Sequence, residues 1–273
     1  YESSGATQTA AQPAFSGADP SQLIANFFPF GGDDRGGVNV AAGDYNNDGR
    51  DDLIVGSGVS GQVKIYSGAL LASNADHEAA VILDFEAVGN APGARVGLGD
   101  VDGDGQSDVV VSLPAATQPL VLIYDGTELR NGREELIHIF DAYDPNFRGG
   151  VSISVADLNC DGFADIATSP GVGGGPHVRV FSGASVRDGD QDTLIDFFPY
   201  SATNSGGARA AISSQGLIVG PSVGSEASVR LYDLNLTLIE EVTPYIGFLG
   251  GVSVTIGDSD DLTILTGARA GGG

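Results

Sequence analysis

The stretch Asp44-Tyr45-Asn46-Asn47-Asp48-Gly49-Arg50-Asp51-Asp52 returns as Asp100-Val101-Asp102-Gly103-Asp104-Gly105-Gln106-Ser107-Asp108, and again as Asp157-Leu158-Asn159-Cys160-Asp161-Gly162-Phe163-Ala164-Asp165. The shared pattern is D-x-[DN]-x-D-G-x-x-D. Oxygen side chains at the first, third, fifth and ninth positions, with the main-chain carbonyl of the seventh, can surround a hard cation. Glycine at the sixth permits the sharp turn. The first aspartates are 56 and 57 residues apart, and a fixed period of that size marks a repeat architecture.

The flanks decide what kind of loop this is. An EF-hand needs a glutamate at the twelfth position and a helix on each side. Here the twelfth residues are Val55, Val111 and Thr168. Short, mostly β-branched runs follow each loop (Leu53-Ile54-Val55, Val109-Val110-Val111, Ile166-Ala167-Thr168) and read as buried strands. Alternating or small residues precede each loop, so each loop joins two strands of a hairpin. Asx-rich turns without metal are the plain alternative, since Asp, Asn and Gly favour turns for local reasons. A turn needs one or two such residues, however, and ten carboxylates stand at the ligand positions of the three loops. Clustered carboxylates repel unless protons or a metal neutralise them. Many oxygens without a compact octahedral cage suit calcium better than magnesium. Zinc is disfavoured, because no His or Cys converges there.

A glycine ahead of the first strand recurs at Gly37, Gly93, Gly150, Gly207 and Gly251, which makes five units. The last two have lost the aspartate loop and keep the strands; Asp258, Asp260 and Asp261 lack its spacing. A third strand recurs at Val63-Lys64-Ile65-Tyr66, Val121-Leu122-Ile123-Tyr124, Val178-Arg179-Val180-Phe181 and Val229-Arg230-Leu231-Tyr232. A fourth recurs at 81–85, 136–140, 194–198 and 238–242. Four strands in about 55 residues describe a β-propeller blade. The expected fold is therefore all-β: a five-bladed β-propeller of four-stranded antiparallel blades. Residues 1–11 read as a flexible tail or linker and 12–273 as one domain. Its blades fall at about 37–86, 93–141, 150–198, 207–242, and 251–273 completed by 12–30. Gln12 to Ala18 and Leu23 to Phe30 match the third and fourth strands of other units, so the last blade is expected to be closed by N-terminal strands, which would leave no open edge.

On these residues the chain resembles the FG-GAP or VCBS-type repeat family, which includes integrin α-subunit propellers and many bacterial secreted and surface proteins. The resemblance covers 12–273. It rests on the Gly-Gly-Val opening, the aspartate hairpin and the Gly-rich stretch after it, clearest in Ser169 to Phe181. It implies three calcium sites: Asp44, Asn46, Asp48, the Arg50 carbonyl and Asp52; Asp100, Asp102, Asp104, the Gln106 carbonyl and Asp108; Asp157, Asn159, Asp161, the Phe163 carbonyl and Asp165. The two loop-less units and a count of five, where integrin-like propellers have seven, depart from the pattern. The resemblance also implies adhesion or recognition at a cell surface, with a protein or glycan on a cell surface or in the extracellular matrix as partner. Fold alone does not settle function.

Composition narrows the classes. With 36 acidic and 12 basic residues the net charge is −24, which disfavours nucleic acid through phosphate repulsion; three calcium ions would leave it strongly acidic. No apolar run of about 18 residues exists, so membrane insertion is not expected. The start at Tyr1 reads as a processed or excised mature form. Cys160 is the single cysteine, so no internal disulfide forms, and an idle thiol or a cross-link between chains are both open to it.

Three functions compete. The first is an extracellular or cell-surface, non-enzymatic, calcium-stabilised recognition module. The second is a filament, in which the segment at 12–28 completes a neighbour's last blade rather than its own. The third is an enzyme, for instance a carbohydrate-active propeller, for which the candidates are poor. His77 lies in a polar loop, His138 on a sheet face and His177 in a Gly-rich turn, and no triad, zinc motif or phosphate loop is supported. The pairs Phe27-Phe28 and Phe197-Phe198 are expected to pack between blades.

Overall fold

Val38–Gly43 (β1) pairs antiparallel with Asp52–Ser57 (β2), Val40 opposite Val55, and the first aspartate loop is the turn between them. The structure is a computed structural model; it describes residues 25–32, 34–73, 76–257 and 263–268. Gln62–Tyr66 (β3) and Val81–Glu86 (β4) complete a sheet of order β1-β2-β3-β4. The same order repeats through Arg95–Gly99 (β5), Asp108–Ser112 (β6), Leu120–Tyr124 (β7) and Leu136–Asp141 (β8), and through Val151–Ala156 (β9), Asp165–Pro170 (β10), Val178–Phe181 (β11) and Thr193–Phe197 (β12). A fourth sheet holds Ala208–Ser213 (β13), Gly216–Pro221 (β14), Ala227–Tyr232 (β15) and Leu238–Tyr245 (β16). There the aspartate loop has shrunk to a tight turn, with Ser213 opposite Gly216. The fifth sheet has two strands among the described residues, Val252–Gly257 (β17) and Thr263–Ala268 (β18).

The second strand of each complete sheet is apolar because both its faces are covered. β6 and β14 are buried along their whole length. Successive sheets stack through aromatic pairs: Phe85 meets Tyr124 and Phe140 meets Phe181, with ring centroids 5.2 and 4.7 Å apart. Phe197 meets Tyr232 at 5.2 Å. Four apolar clusters follow, each shared by neighbouring sheets. The first strands β1, β5, β9, β13 and β17 line a common central channel. One end of it is walled by Asn39, Arg95, Ser152, Arg209 and Ser253, each two residues after the recurring glycine. Among the described residues this is a propeller-like arrangement of four four-stranded blades and two strands of a fifth.

Three departures from the sequence reading stand out. Short helices at Gly68–Ala72 (α1), Gly126–Arg130 (α2) and Gly183–Arg187 (α3) follow the third strands, capped by Ser67, Asp125 and Ser182. The Phe pairs divide: Phe197 packs between blades, while Phe198 is 49% and Phe28 68% exposed, since neighbours in an extended chain point to opposite sides. Residues 25–30 run as non-strand chain along the open face of the first blade, where Ala25, Phe27 and Phe30 pack beside Val55, Tyr66 and Leu71. The expected N-terminal strand at 12–18, the start of the one at 23–30, and Asp258, Asp260 and Asp261 lie outside the described residues.

Candidate metal centre

The three aspartate loops share a main-chain hydrogen-bond pattern, while among the described residues only 100–108 gathers three carboxylates into one close group. The first aspartate receives main-chain N–H groups through both oxygens: Asp44 from Asp48 and Gly49, Asp100 from Gly103 and Gly105, Asp157 from Asp161 and Gly162. The fifth-position residues Asp48, Asp104 and Asp161 accept from the N–H of Arg50, Gln106 and Phe163, which sets the turn that carries those carbonyls. Positive φ is needed twice per loop. The sixth position is always Gly (Gly49, Gly105, Gly162), and the fourth is Asn47 at 59°, Gly103 at 76° and Cys160 at 59°. The latter is where Asn or Gly is favoured and Cys is not.

The ninth position is the keystone. Asp52, Asp108 and Asp165 open the second strands and are buried. One oxygen of each holds the loop, accepting from Tyr45 N, Val101 N or Leu158 N at 2.8 to 3.1 Å. The other accepts from the first residue of the helix after the third strand: Gly68 N at 3.0 Å, Gly126 N at 2.9 Å, Gly183 N at 3.0 Å. Glycine is required there, because a Cβ would come within 1.9, 1.9 and 2.3 Å of the carbonyl oxygens of Asp51, Ser107 and Ala164. The repeated Ser-Gly or Asp-Gly after the third strand therefore belongs to the aspartate site, a link that repeat counting did not reveal.

Burial pushes the Asp108 carboxyl up to about 7 and Asp165 to about 6, with main-chain N–H groups pulling the other way. Asp52 and Asp102 are raised as well, chiefly by burial. The charges that act on Asp108 and Asp165 are other loop aspartates: Asp102 on the one, Asp161 and Asp157 on the other. Asp100, Asp102 and Asp108 bring carboxylate oxygens within 4.8 Å of one another. Buried carboxylates raised by burial and by one another fit a bound cation, which would reverse the shift. The donor set is oxygen throughout, as a hard cation requires. Asp104 does not join that close group; its second oxygen accepts from Thr127 Oγ1 at 2.8 Å. Cys160 is exposed and stands between ligand positions.

The repeats match known sequences. Residues 36–66 match the FG-GAP repeat and residues 100–168 the FG-GAP-like repeat. The chain carries FG-GAP repeats. Over 148 residues it is 30% identical to integrin alpha-4 of Xenopus laevis. Over 143 residues it is 24% identical to integrin alpha-PS2 of Drosophila melanogaster. Each alignment takes in 48% of this chain but only 14% and 10% of those relatives, so the chain corresponds to a small part of their length. Among solved structures, the Dos1 propeller aligns over 82% of this chain and 50% of its own, with 15% identity and a TM-score of 0.44.

Both FG-GAP matches span an aspartate loop, 44–52 in one and 100–108 and 157–165 in the other. The three histidines each lie against an aromatic ring. His77 stacks on Phe27 at 4.8 Å, and His138 stacks on Phe140 at 5.8 Å. His177 stacks on Phe198 at 4.4 Å and pairs with Asp196, which also holds Arg179 at 3.1 Å. Among the described residues, no helix is long and apolar enough to cross a membrane.

Proposed function

We propose that this chain is an extracellular or cell-surface, non-enzymatic recognition module: a calcium-binding β-propeller closed by its N-terminal segment. The observation that carries the reading is the buried ninth-position aspartate, present in three loops and surrounded by acid. Three calcium ions, one in each of the loops 44–52, 100–108 and 157–165, would neutralise these clusters and tie each β-hairpin to the helix behind it. The role of calcium is structural: it fixes the hairpins at one end of the blades and leaves the loops at the other end to meet a protein or glycan. The likeness to integrin alpha chains supports adhesion over catalysis. The test is thermal unfolding in calcium and in EDTA. At free calcium about 100 times the dissociation constant, each site adds about 2.7 kcal/mol, so EDTA should lower the melting temperature by many degrees. An unchanged melting temperature would remove the basis of the reading.

A second reading rests on the fifth sheet. Among the described residues β18 pairs with β17 alone, and a strand edge left open would invite pairing with another chain. If the N-terminal segment filled that edge in a neighbour, the chain would assemble head to tail into a filament. Native mass spectrometry in calcium separates the two readings: a monomer carrying three ions supports the closed module, and an oligomer ladder supports exchange.

A further inference from the structure

The repeats supply an internal control that isolates one cleft. The chain between β8 and β9 and the chain between β12 and β13 share a register: Phe140, Tyr143, Phe147 and Gly149 in one, Phe197, Tyr200, Asn204 and Gly206 in the other. Both make the same turn, Phe147 N donating to Asp144 O at 2.8 Å and Asn204 N to Ser201 O at 2.9 Å. Both tyrosines donate to the next blade, Tyr143 to His177 O at 2.8 Å and Tyr200 to Ser228 O at 2.5 Å. Both lie under an arginine that is paired across the next blade's outer strands: Arg179 with Asp196, and Arg230 with Glu241 at 3.2 Å.

The difference lies on top of this shared frame. Between the second and third blades the Phe147 ring lies over Gly174, where a Cβ would meet it at 3.1 Å, and edge-on to Tyr143 at 6.1 Å. Between the third and fourth blades the matching residues are polar: Asn204 for Phe147, Ser225 for Gly174, Glu226 for Gly175, Ser228 for His177. Asn204 Nδ2 donates to Ser225 Oγ at 2.9 Å, and a cleft of about 660 Å³ opens beside them. It lies at the end of the blades opposite the aspartate loops.

The geometry points to this cleft as a binding site for a neutral saccharide. Hydroxyls and a carboxamide both donate and accept, as sugar hydroxyls demand of a partner. Ser201 and Thr203, 2.8 Å apart and exposed, extend that polar rim. Val172, 60% exposed, and Val223 supply an apolar flank for the C–H face of a sugar ring. An anion is disfavoured: Arg230 is paired with Glu241, Glu226 adds a negative charge, and the chain carries −24. A flat aromatic ligand is disfavoured as well, since Arg230 lies over the Tyr200 ring at 4.8 Å. The volume lies in the range of small-molecule sites, about 300–1,000 Å³. This inference names the ligand class of the recognition module proposed above and rests on that reading.

The test is an array of immobilised neutral, acidic and basic oligosaccharides with a panel of Lys- and Arg-rich peptides, probed with the calcium-loaded chain. The best neutral oligosaccharide is then titrated by calorimetry. Asn204→Phe with Ser225→Gly restores both parts of the plug that the neighbouring blade holds, a phenyl ring over a glycine, and should weaken that binding about tenfold or more. Ser201→Ala with Thr203→Ala leaves the frame intact and should weaken it severalfold. Glu226→Gln should leave it within about twofold. Capture of no neutral oligosaccharide, retention by both the Phe and the double-Ala variants, or capture of basic peptides with loss in Glu226→Gln would each overturn the assignment. EDTA melting of the same samples reads the calcium proposal separately: intact calcium stabilisation with no saccharide bound sinks this inference alone.

Discussion

The Phe27 ring lies against Tyr66, centroids 4.9 Å apart, in the place that Phe85 takes against Tyr124, Phe140 against Phe181 and Phe197 against Tyr232. In those three pairs a fourth-strand Phe of one blade meets the last residue of the next blade's third strand. Phe27 thus packs on the first blade as a fourth-strand Phe packs on the blade that follows it, although residues 25–30 form no ladder. Tyr66 Oη confirms the docking by donating to Pro29 O at 3.3 Å. Phe27→Ala should destabilise the fold by about 2 kcal/mol, below the fully buried range because Phe27 is half-buried. Phe28→Ala, on the exposed side, should stay within about 0.5 kcal/mol. Urea unfolding of both variants checks this; equal effects would mean that the segment is not docked.

Cys160 sits at φ 59°, where the other two loops have Asn47 and Gly103. A left-handed conformation costs a non-glycine residue about 1–2 kcal/mol, partly offset by the entropy glycine loses on folding. Cys160→Gly should therefore raise stability by about 0.5–1 kcal/mol without altering the metal count. Denaturant midpoints in calcium and native mass spectra measure the two parts, and a loss of stability would show that the thiol makes a contact of its own.

How much of this was legible in the sequence depends on the length scale. The aspartate loops and the strands around them could be read, because oxygen ligands and β-branched runs are local signals. The five units could be counted from glycines such as Gly37 and Gly150, which carry positive φ of 74° and 77°. The helices after the third strands were not read: five residues from Gly68 to Ala72 are too few for a helical period to register. Their caps, Ser67, Asp125 and Ser182, were the available signal. The division of the Phe pairs, and the exchange of Phe147 for Asn204, required the register of one blade against the next.

Asp165 carries both a structural and a metal role, and the two can be separated. Asp165→Ala leaves the buried Leu158 N and Gly183 N without their acceptor, a cost of about 2–3 kcal/mol. If Asp165 also binds calcium, the variant loses up to about 2.7 kcal/mol more in calcium. In EDTA the penalty should shrink, because removing Asp165 also relieves its repulsion with Asp161 and Asp157. Chemical unfolding with and without calcium gives the difference; equal penalties in the two conditions would leave Asp165 a structural residue only.

The blade interfaces predict an alkaline limit. Tyr66 and Tyr124 are buried, and burial raises both phenols from 10.0 to about 12. A folded value above the unfolded one means that the contribution to stability is whole below pH 10 and is lost as the pH rises from 10 to about 12. Stability should fall across that window as tyrosinate absorbance appears. Tyr124 Oη donates to Ala87 O of the preceding blade, so Tyr124→Phe should cost about 1 kcal/mol at neutral pH. A phenyl ring has no proton to lose, so the same variant should make the alkaline decline shallower. A wild-type stability that stays flat from pH 10 to 12 would mean that the tyrosines ionise without leaving their interfaces.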